Sequence, residues 1–354
     1  MTPTKRSTLK KGARIQGKWS KQEWTVCSCL GVGANGVVYS VRRPDGEVAA
    51  MKICDEAGSV AFEWSLLEKM AQSGAAFPKP HCIDDSAQAP ALYFYVMEQI
   101  NGRPLAEVWQ HLQGHDIKRV LLAIGSGLRA LHRIKHAFCD VKPQNLLVDL
   151  HREQCVRFVD VGGVTPFGRS VRQFTPTSDC AYWGFGERRA TEKYDIAAVA
   201  LMLVCLRTTP PSACGNWTEA RRRAWVQAAL RQYGDSETRS FLEDAISGRI
   251  ATADEWILRV DQLSASSLQM ARSNASLNAS LNASSFRGWR AHGPQRQPKR
   301  PVGAQTTATQ TKASPSARPS AQHRVGWTER FMWASLCCAV VSTFSAWAVY
   351  LHWL

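Results

Sequence analysis

The amino-acid sequence predicts an α+β fold in two parts, a small β-rich part followed by a larger helical part. Three β-prone runs lie within the first hundred residues, at 26–30, 37–41 and 93–97. Residues 120–134 have the apolar periodicity of a buried helix. Residues 195–206 are apolar on nearly all sides, as expected for a helix at the centre of a core. We therefore expect the β-rich part at about 24–97 and the helical part at about 102–263.

Charge is distributed unevenly along the 354 residues, whose formal net charge is +15. The basic N-terminal extension, 1–22, carries seven Lys or Arg and no acid. Residues 264–330 carry ten Lys or Arg and a single acid, Glu329, so the intervening 23–263 is close to neutral. The basic flanks suit solvated tails or attraction to anionic lipid. No specific nucleic acid is expected, because no aromatic-rich reader motif interrupts the basic runs.

The chain has eleven cysteines, and many of them lie within apolar runs. Cys27 and Cys29 are separated by one residue, whereas zinc knuckles usually place two residues between paired cysteines. Free thiols in a reducing cytoplasm are therefore favoured over a metal site or disulfides. Residues 1–21 lack the apolar core of a signal peptide, so nothing indicates secretion by that route.

The composition changes at about residue 264. Asn-Ala-Ser recurs three times, and Pro, Gln, Thr, Ser and Arg then dominate up to Arg324. Such a segment cannot bury enough apolar surface to form a core, so 264–330 is predicted to be a disordered linker.

Residues 331–354 are predicted to form a single transmembrane helix. They contain no Asp, Glu, Lys or Arg, and a helix of this length spans about 36 Å, enough for a bilayer core. Arg324 and Arg330 precede the span and no basic residue follows it. The positive-inside rule then keeps the preceding chain in the cytoplasm. The alternative is a buried globular helix, which is disfavoured because no domain follows the segment.

A polar constellation lies in the middle of the chain. Asp140, Lys142 and Asn145 are close together in sequence, and Asp160 follows after a hydrophobic run. A polar turn between two short strands would also explain these residues. Their order and spacing nevertheless resemble the catalytic loop and the metal-binding strand pair of protein kinases.

That resemblance implies phosphoryl transfer from ATP, in which catalysis is mostly positioning and charge neutralisation. Asp140 would orient the acceptor hydroxyl and accept its proton. Lys142 would reach the transferring phosphate. Asn145 and Asp160 would hold two Mg²⁺, or Mn²⁺ in their place, because such ions prefer hard oxygen ligands.

Residues 30–39 place glycines between two β-prone runs, at Gly31, Gly33 and Gly36, and the pattern ends at Val38. A dinucleotide fingerprint would open a helix instead. The run resembles the glycine-rich loop of kinases, in which backbone N–H groups approach the ATP phosphates because glycine has no side chain.

Lys52 ends the run VAAMK, which resembles the kinase strand that carries the ATP-binding lysine. By resemblance, Lys52 would pair with the α- and β-phosphates, and Ala50 would border the nucleotide. Residues 62–70 have helical spacing, and Glu63 falls where the partner carboxylate of the lysine is expected. Glu68 is the rival carboxylate and lies on a different helical face.

Residues 93–102 resemble the strand and hinge that join the two kinase lobes. Met97 would border the back of the adenine pocket, and Glu98 and Ile100 would offer backbone groups to adenine. Taken alone, the run would be read as a buried strand followed by a turn.

Three residues in two motifs depart from the kinase pattern. Phe138-Cys139 stands where His-Arg usually precedes the catalytic aspartate, and Val161 stands where D-F-G has Phe. The usual arginine clamps a phosphorylated loop through charge-assisted bonds, which Cys139 cannot form. We therefore expect activity before phosphorylation of the loop hydroxyls, with Arg188 or Arg189 as the rival clamp. The candidate hydroxyls are those of Ser170, Thr175, Thr177 and Ser178.

Three later matches are looser. Glu187 ends a degraded form of the A-P-E motif, and Arg249 is expected to pair with it. Asp195 fits the buried aspartate that opens a central helix of the larger lobe.

Together, the residues resemble a eukaryotic-like, bacterial-type Ser/Thr protein kinase with a two-lobed fold and a C-terminal membrane anchor. The expected partners are protein substrates and, through 331–354, a lipid bilayer. One alternative is a pseudokinase scaffold, which the retained catalytic residues argue against. Another is a small-molecule kinase of related fold, which Lys142 and the long segment between Asp160 and Glu187 disfavour.

Overall fold

The computed structural model describes residues 9–268, except for 34, 35, 73, 89, 90, 173 and 234. The linker after residue 268 and the predicted membrane segment 331–354 lie outside these described residues. Among the helices that the structure describes, none is both long and apolar enough to cross a bilayer. The nine cysteines within the described ranges carry thiols and form no disulfide with one another.

Six antiparallel strands form the sheet of the N-terminal lobe. They span Arg14–Gln16 (β1), Glu23–Gly33 (β2), Gly36–Arg42 (β3), Val48–Cys54 (β4), Pro80–Asp85 (β5) and Tyr93–Glu98 (β6). Their order across the sheet is β1-β2-β3-β4-β6-β5. Buried side chains such as Trp24, Tyr39, Met51 and Phe94 form a core on one face of the sheet, as strand alternation requires. The predicted β-rich part is confirmed.

One helix, Ala57–Ala71 (α1), packs on the N-terminal lobe. Its buried residues include Val60, Glu63, Leu67 and Met70, which recur every three or four positions and so share one face of the helix. The same spacing that buries the apolar side chains also turns the Glu63 carboxylate inward. This helix therefore delivers a charged group to the interior of the lobe.

The N-terminal residues belong to this lobe. After β1 the chain crosses to the far edge of the sheet, where Gly17 forms a bridge to Ser86. The Asp84 carboxylate accepts both the N–H (2.8 Å) and the hydroxyl (2.6 Å) of Ser20. These contacts join the two edges of the sheet, which is therefore curled. Residues 9–22, which their charge assigned to an extension, are thus part of the folded lobe.

The C-terminal lobe is mostly helical. Its helices are Leu105–Val108 (α2), Gly114–Arg133 (α3), Glu192–Arg207 (α4), Glu219–Arg231 (α5), Ser236–Ser247 (α6), Ala253–Gln262 (α7) and Ala265–Leu268 (α8). Its short strands are Arg103–Pro104 (β7), His136–Ala137 (β8), Leu146–Val148 (β9), Val156–Phe158 (β10) and Thr165–Pro166 (β11). The predicted division into a β-rich part and a helical part is confirmed.

Two helices set the frame of this lobe. α4 is buried along almost its whole length, which confirms the prediction of a central helix over 195–206. α3 begins at Gly114, six residues earlier than predicted. A capping box explains the earlier start, because Gln113 and Asp116 bond each other's backbone N–H groups at the first turn.

Candidate active site

A buried cluster of charges joins the two lobes. Nζ of Lys52 on β4 lies 2.6 Å from Oε2 of Glu63 and 2.9 Å from Oδ1 of Asp160. The Tyr95 hydroxyl donates to the same oxygen of Glu63 at 3.0 Å. Lys52 is 4% exposed and Glu63 is 2% exposed, so each charge needs the others for compensation. The rival carboxylate, Glu68, is exposed to solvent.

Ion pairing determines the direction in which the pKa values of Lys52 and Asp160 shift. Burial alone would lower the pKa of Lys52, but the carboxylates of Asp160 and Glu63 outweigh burial and hold that pKa well above its ordinary value. Burial would raise the pKa of Asp160, but Lys52 outweighs this effect and the pKa is lowered. Lys52 and Asp160 are therefore both charged at neutral pH.

A buried carboxylate holds the loop that precedes Asp140. Asp195, in the first turn of α4, is fully buried and accepts the N–H groups of Phe138 (2.7 Å) and Cys139 (2.8 Å). Nε2 of His132 on α3 lies 2.9 Å from the same carboxylate. Cys139 has a φ of 64°, a left-handed conformation that costs free energy in a residue with a side chain. The bonds to Asp195 offset that cost.

The Asp140 carboxylate is oriented from two sides. Nζ of Lys142 lies 2.7 Å from Oδ2, and the Thr175 hydroxyl donates to Oδ1 at 2.7 Å. The side-chain amide of Asn145 donates to the backbone carbonyl of Asp140 at 3.2 Å. A Cβ atom at Gly163 would lie 2.8 Å from the Cβ of Asp140, so only glycine allows this close approach.

Backbone contacts bring Asn145 and Asp160 to the same end of the strand pair. The N–H of Val159 donates to the carbonyl of Asn145 at 2.8 Å. Asp160 follows with a φ of 64°, a second left-handed residue, and in this conformation its carboxylate contacts Lys52. Strained backbone of this kind concentrates at functional sites.

The glycines of the first strand pair differ in what their surroundings require. A Cβ atom at Gly36 would collide with the carbonyl oxygen of Ile53, so packing within the lobe demands glycine there. At Gly31 a Cβ atom would meet nothing within 4 Å, and at Gly33 it would meet only the Gly36 carbonyl oxygen, at 3.8 Å. The fold itself does not require glycine at these two positions, which leaves room for a ligand to approach the backbone.

Four predicted ATP-site residues lie on one face of the sheet. Val38 is opposite Lys52 in the pairing of β3 with β4, and Ala50 is opposite Met97 in the pairing of β4 with β6. Opposed residues share a face, and so do residues two apart on one strand. Three apolar side chains therefore border the face from which Lys52 projects.

Glu98, at the end of β6, has a partner that the sequence did not indicate. Its carboxylate lies 2.8 and 3.2 Å from two nitrogens of Arg157 on β10. Arg157 also donates to the carbonyl of Phe77 at 2.8 Å. The N–H of Glu98 donates to the carbonyl of Lys79, so the Glu98 backbone group left for a ligand is its carbonyl. Ile100 is half-buried in the connection that follows.

A buried aspartate fastens the segment that precedes α4. Asp179 is fully buried and accepts Nε–H of Arg188 at 2.7 Å and the hydroxyl of Tyr194 at 3.0 Å. The Ser178 hydroxyl donates to the carbonyl of Val141, next to Asp140. These bonds fasten the segment to the C-terminal lobe at Ser178 and Asp179.

The prediction that Arg249 pairs with Glu187 is wrong. Nε of Arg249 lies 2.6 Å from Oδ1 of Asp244 on α6, and Arg259 binds the other oxygen of that carboxylate at 3.1 Å. A partner five residues away closes a much shorter loop than Glu187 would, so its entropic cost is lower.

Three residues of the site were not assigned to it from the sequence: Tyr95, Arg157 and Thr175. Arg157 carried a usable signal, because a charged residue inside an apolar strand needs a buried partner. The sequence indicates Thr175 only as a candidate phosphorylation site, and its bond to Asp140 depends on how the segment folds back.

Comparisons with known proteins agree with this geometry. Residues 24–268 match the protein kinase domain family. The chain belongs to the protein kinase family. The serine/threonine-protein kinase YabT of Bacillus subtilis (strain 168) is 31% identical over 265 residues, which are 73% of the kinase and 76% of YabT. The kinase is therefore a Ser/Thr protein kinase of bacterial type, a family that acts on proteins with ATP and a divalent metal.

More distant proteins are similar to this chain over part of the sequence or in fold alone. The serine/threonine-protein kinase grp of Drosophila melanogaster is 28% identical over 152 residues, 41% of the kinase and 29% of that protein. The structure of vaccinia related kinase 3 aligns with a TM-score of 0.52 at 13% identity, over 74% of the kinase and 96% of that chain. At this identity the likeness shows the fold alone, a curled β-sheet lobe and a helical lobe.

Proposed function

We propose that the kinase transfers the γ-phosphate of ATP to Ser or Thr hydroxyls of proteins while attached to a membrane, with Asp140 as the base. The contact of 2.9 Å between Lys52 and Asp160, 108 residues apart, carries the catalytic part of this proposal. It brings the lysine assigned to the ATP phosphates beside the carboxylate assigned to the metal.

The oxygen ligands suit Mg²⁺. Asp160 is ionised at neutral pH because its pKa is lowered by Lys52 despite burial, and Asn145 adds a neutral amide oxygen. The described residues contain no group of three or more His, Cys, Asp or Glu suited to a metal. Mg²⁺ needs no such group, since it usually takes one or two carboxylates together with waters and substrate phosphates. When bound, the metal would neutralise charge on the phosphates.

Asp140 is placed to handle the proton of the acceptor hydroxyl. Its Oδ1 accepts the Thr175 hydroxyl at 2.7 Å, which shows that a hydroxyl can reach this oxygen. A substrate hydroxyl at the same oxygen would be oriented by one hydrogen bond and would give up its proton as the phosphate bond forms. Lys142, at 2.7 Å from Oδ2, would lie beside the transferring phosphate and balance its charge.

Substitution tests these roles. Asp140→Asn should lower kcat by about 10²–10⁴-fold, the usual range for a positioned acid–base group. Asp160→Ala should abolish metal-dependent transfer, and Lys52→Met should do nearly as much by misplacing the phosphates. Asp261→Asn is the matched control, because that side chain is 74% exposed. Transfer from γ-labelled ATP to a protein substrate is the measurement.

Two outcomes would contradict the proposal. If the three variants label the substrate as fast as the parent does, the roles are wrong. If the parent turns over no ATP with metal present, the pseudokinase alternative holds.

Ion pairing of Lys52 with Glu63 at 2.6 Å favours an active enzyme, because the same pair positions phosphates in protein kinases.

Membrane attachment is the second part of the proposal. Its support is the charge-free apolar run 331–354 and the arginines that precede it. With this orientation the kinase domain faces the cytoplasm of a bacterial cell, and the basic residues of 264–330 lie near anionic lipid. These residues are outside the part of the chain that the structure describes.

A further inference from the structure

The segment before α4 folds back on itself next to the proposed acceptor site. Ser170 forms an antiparallel bridge to Arg189, and the N–H of Ala190 donates to the carbonyl of Arg169 at 2.8 Å. Further along, Thr175 is bonded to Asp140. Arg172 is three residues before Thr175, so their Cα atoms are at most about 11 Å apart. Arg172 therefore lies within a few peptide residues of the phosphate-accepting position, and Arg169 and Arg189 belong to the same folded-back turn.

The arginines around this segment fall into two groups. Arg188 is bonded to Asp179 and stacks on Phe174 at 4.2 Å. On α5, Arg222 and Arg223 donate to backbone carbonyls of the segment, at Tyr182 and Gly184. These three side chains are therefore held by bonds within the protein.

Arg169, Arg172 and Arg189 form the second group. All three are exposed, and within the described residues none of them has an ion pair or a side-chain hydrogen bond. The acids nearby do not neutralise them, because Asp179 is buried against Arg188 and Glu187 is a single exposed carboxylate. Since residues 23–263 are close to neutral as a whole, this is a local excess of positive charge.

We propose that these three arginines select protein substrates in which acidic residues flank the acceptor Ser or Thr. An extended peptide advances about 3.4 Å per residue, so carboxylates two to four positions from the acceptor reach the distance at which Arg172 lies. Guanidinium groups bind carboxylates in a fork geometry. The inference rests on the proposed function of the site and names its substrate class.

Two peptides that differ only in charge test the proposal on the full chain. Both carry one Ser, flanked at positions two to four on each side by Asp in one peptide and by Asn in the other. The parent should phosphorylate the Asp peptide with a kcat/KM about tenfold higher, because three exposed charge pairs each contribute a modest factor. The preference should shrink at 0.5 M salt, since screening weakens exposed pairs.

The variant Arg169→Gln, Arg172→Gln, Arg189→Gln should lose the preference and keep its rate on the Asn peptide. Arg231→Gln is the matched control, an exposed arginine at the far end of α5, and should behave like the parent. Rates on the Asn peptide report the kinase activity separately, so a parent that labels neither peptide contradicts the proposed function.

A parent that treats the two peptides alike, or a triple variant that keeps the preference, would refute acidic selection. Acidic selection would also be refuted if the parent shows no preference and the triple variant instead loses binding to vesicles of anionic phospholipid. That result would make the patch a membrane surface.

Discussion

At the scale of single residues, the pair formed by Glu98 and Arg157 connects the hinge strand β6 to the strand that leads to Asp160. Arg157 is 7% exposed, so burying its charge costs desolvation free energy. Two contacts to Glu98 and one bond to Phe77 offset that cost. Removing the Glu98 carboxylate would leave the buried Arg157 charge uncompensated, and because Glu98 is itself only half-buried, water offsets part of that loss.

The pH dependence of stability should reveal this pair. Burial raises the pKa of Glu98, but the bond from Arg157 and the Lys79 N–H outweigh it and the pKa lies below its ordinary 4.5. A lowered folded-state pKa means that the contribution to stability is present above about pH 4.5 and is lost as pH falls through the folded-state pKa. Glu98→Gln should therefore cost about 1–2 kcal/mol at pH 7 and progressively less below pH 4.5.

Urea unfolding of the parent and the variant at pH 7, 5.5 and 4 gives the measurement. Glu107→Gln is the control, because its carboxylate is 55% exposed and its ion pair with Arg103 is long, at 3.5 Å. A difference between parent and Glu98→Gln that is the same at all three pH values would show that the charge of Glu98 does not contribute.

For some residues of the candidate site, chain order alone carries the information. Asp140, Asn145 and Asp160 lie on one loop and strand pair, so their spacing is informative without knowledge of the fold. The bond of Thr175 to Asp140 depends on how a long segment returns to the loop, and no local pattern encodes that. The predicted partner of Arg249 was wrong for a different reason. The carboxylate of Asp244 is nearer in sequence than that of Glu187 and binds the arginine instead.

At the scale of the element, the segment before α4 is ordered by contacts that need no phosphate. The Asp179 carboxylate accepts hydrogen bonds from Arg188 and Tyr194. These bonds order the segment in the way that a loop phosphate otherwise would. Two of the four candidate hydroxyls are already used, since Thr175 donates to Asp140 and Ser178 to Val141. Phosphorylation of either would require these bonds to break.

We therefore expect phosphatase-treated kinase to have the same initial rate as untreated kinase. Ser170→Ala with Thr177→Ala should also keep that rate, because neither hydroxyl holds the segment in place. Arg188→Met should lower the rate by at least about tenfold, since it leaves Asp179 buried without its charged partner. Initial rates on one peptide compare all four proteins. Strong activation on autophosphorylation, lost in the double Ala variant, would show that a loop phosphate controls the enzyme.

Elements with strong periodicity agree with their sequence predictions, and the exceptions have physical causes. The central helix α4 is found where an all-round apolar run indicates it, because burial on every side leaves no alternative. The place of residues 9–22 in the folded lobe was missed because seven basic residues in 1–22 suggest a solvated tail. Its attachment depends on Asp84, which lies in a distant strand, and on the backbone of β1 rather than on side-chain pattern.

At the scale of the whole molecule, basic residues and long apolar runs are concentrated in different parts of the chain. Residues 23–263 have a buried core and are nearly neutral, whereas 264–330 is basic and 331–354 is apolar without a formal charge. All residues assigned to catalysis lie within 9–268. Attachment and chemistry are therefore expected to be separable, with the basic linker adding at most a salt-sensitive attraction to anionic lipid.

Deleting 331–354 should release the kinase from membranes and leave kcat on a peptide unchanged within about twofold. Sedimentation after a wash in 1 M salt is the measurement, because the Debye length then falls to about 3 Å and electrostatic attachment is lost. The control keeps 331–354 but replaces Arg287, Arg290 and Arg296 with Gln, and it should stay in the pellet. A truncated protein that remains in the pellet would place the anchor elsewhere. A control protein that washes off would show that the basic linker, rather than an apolar helix, holds the kinase at the membrane.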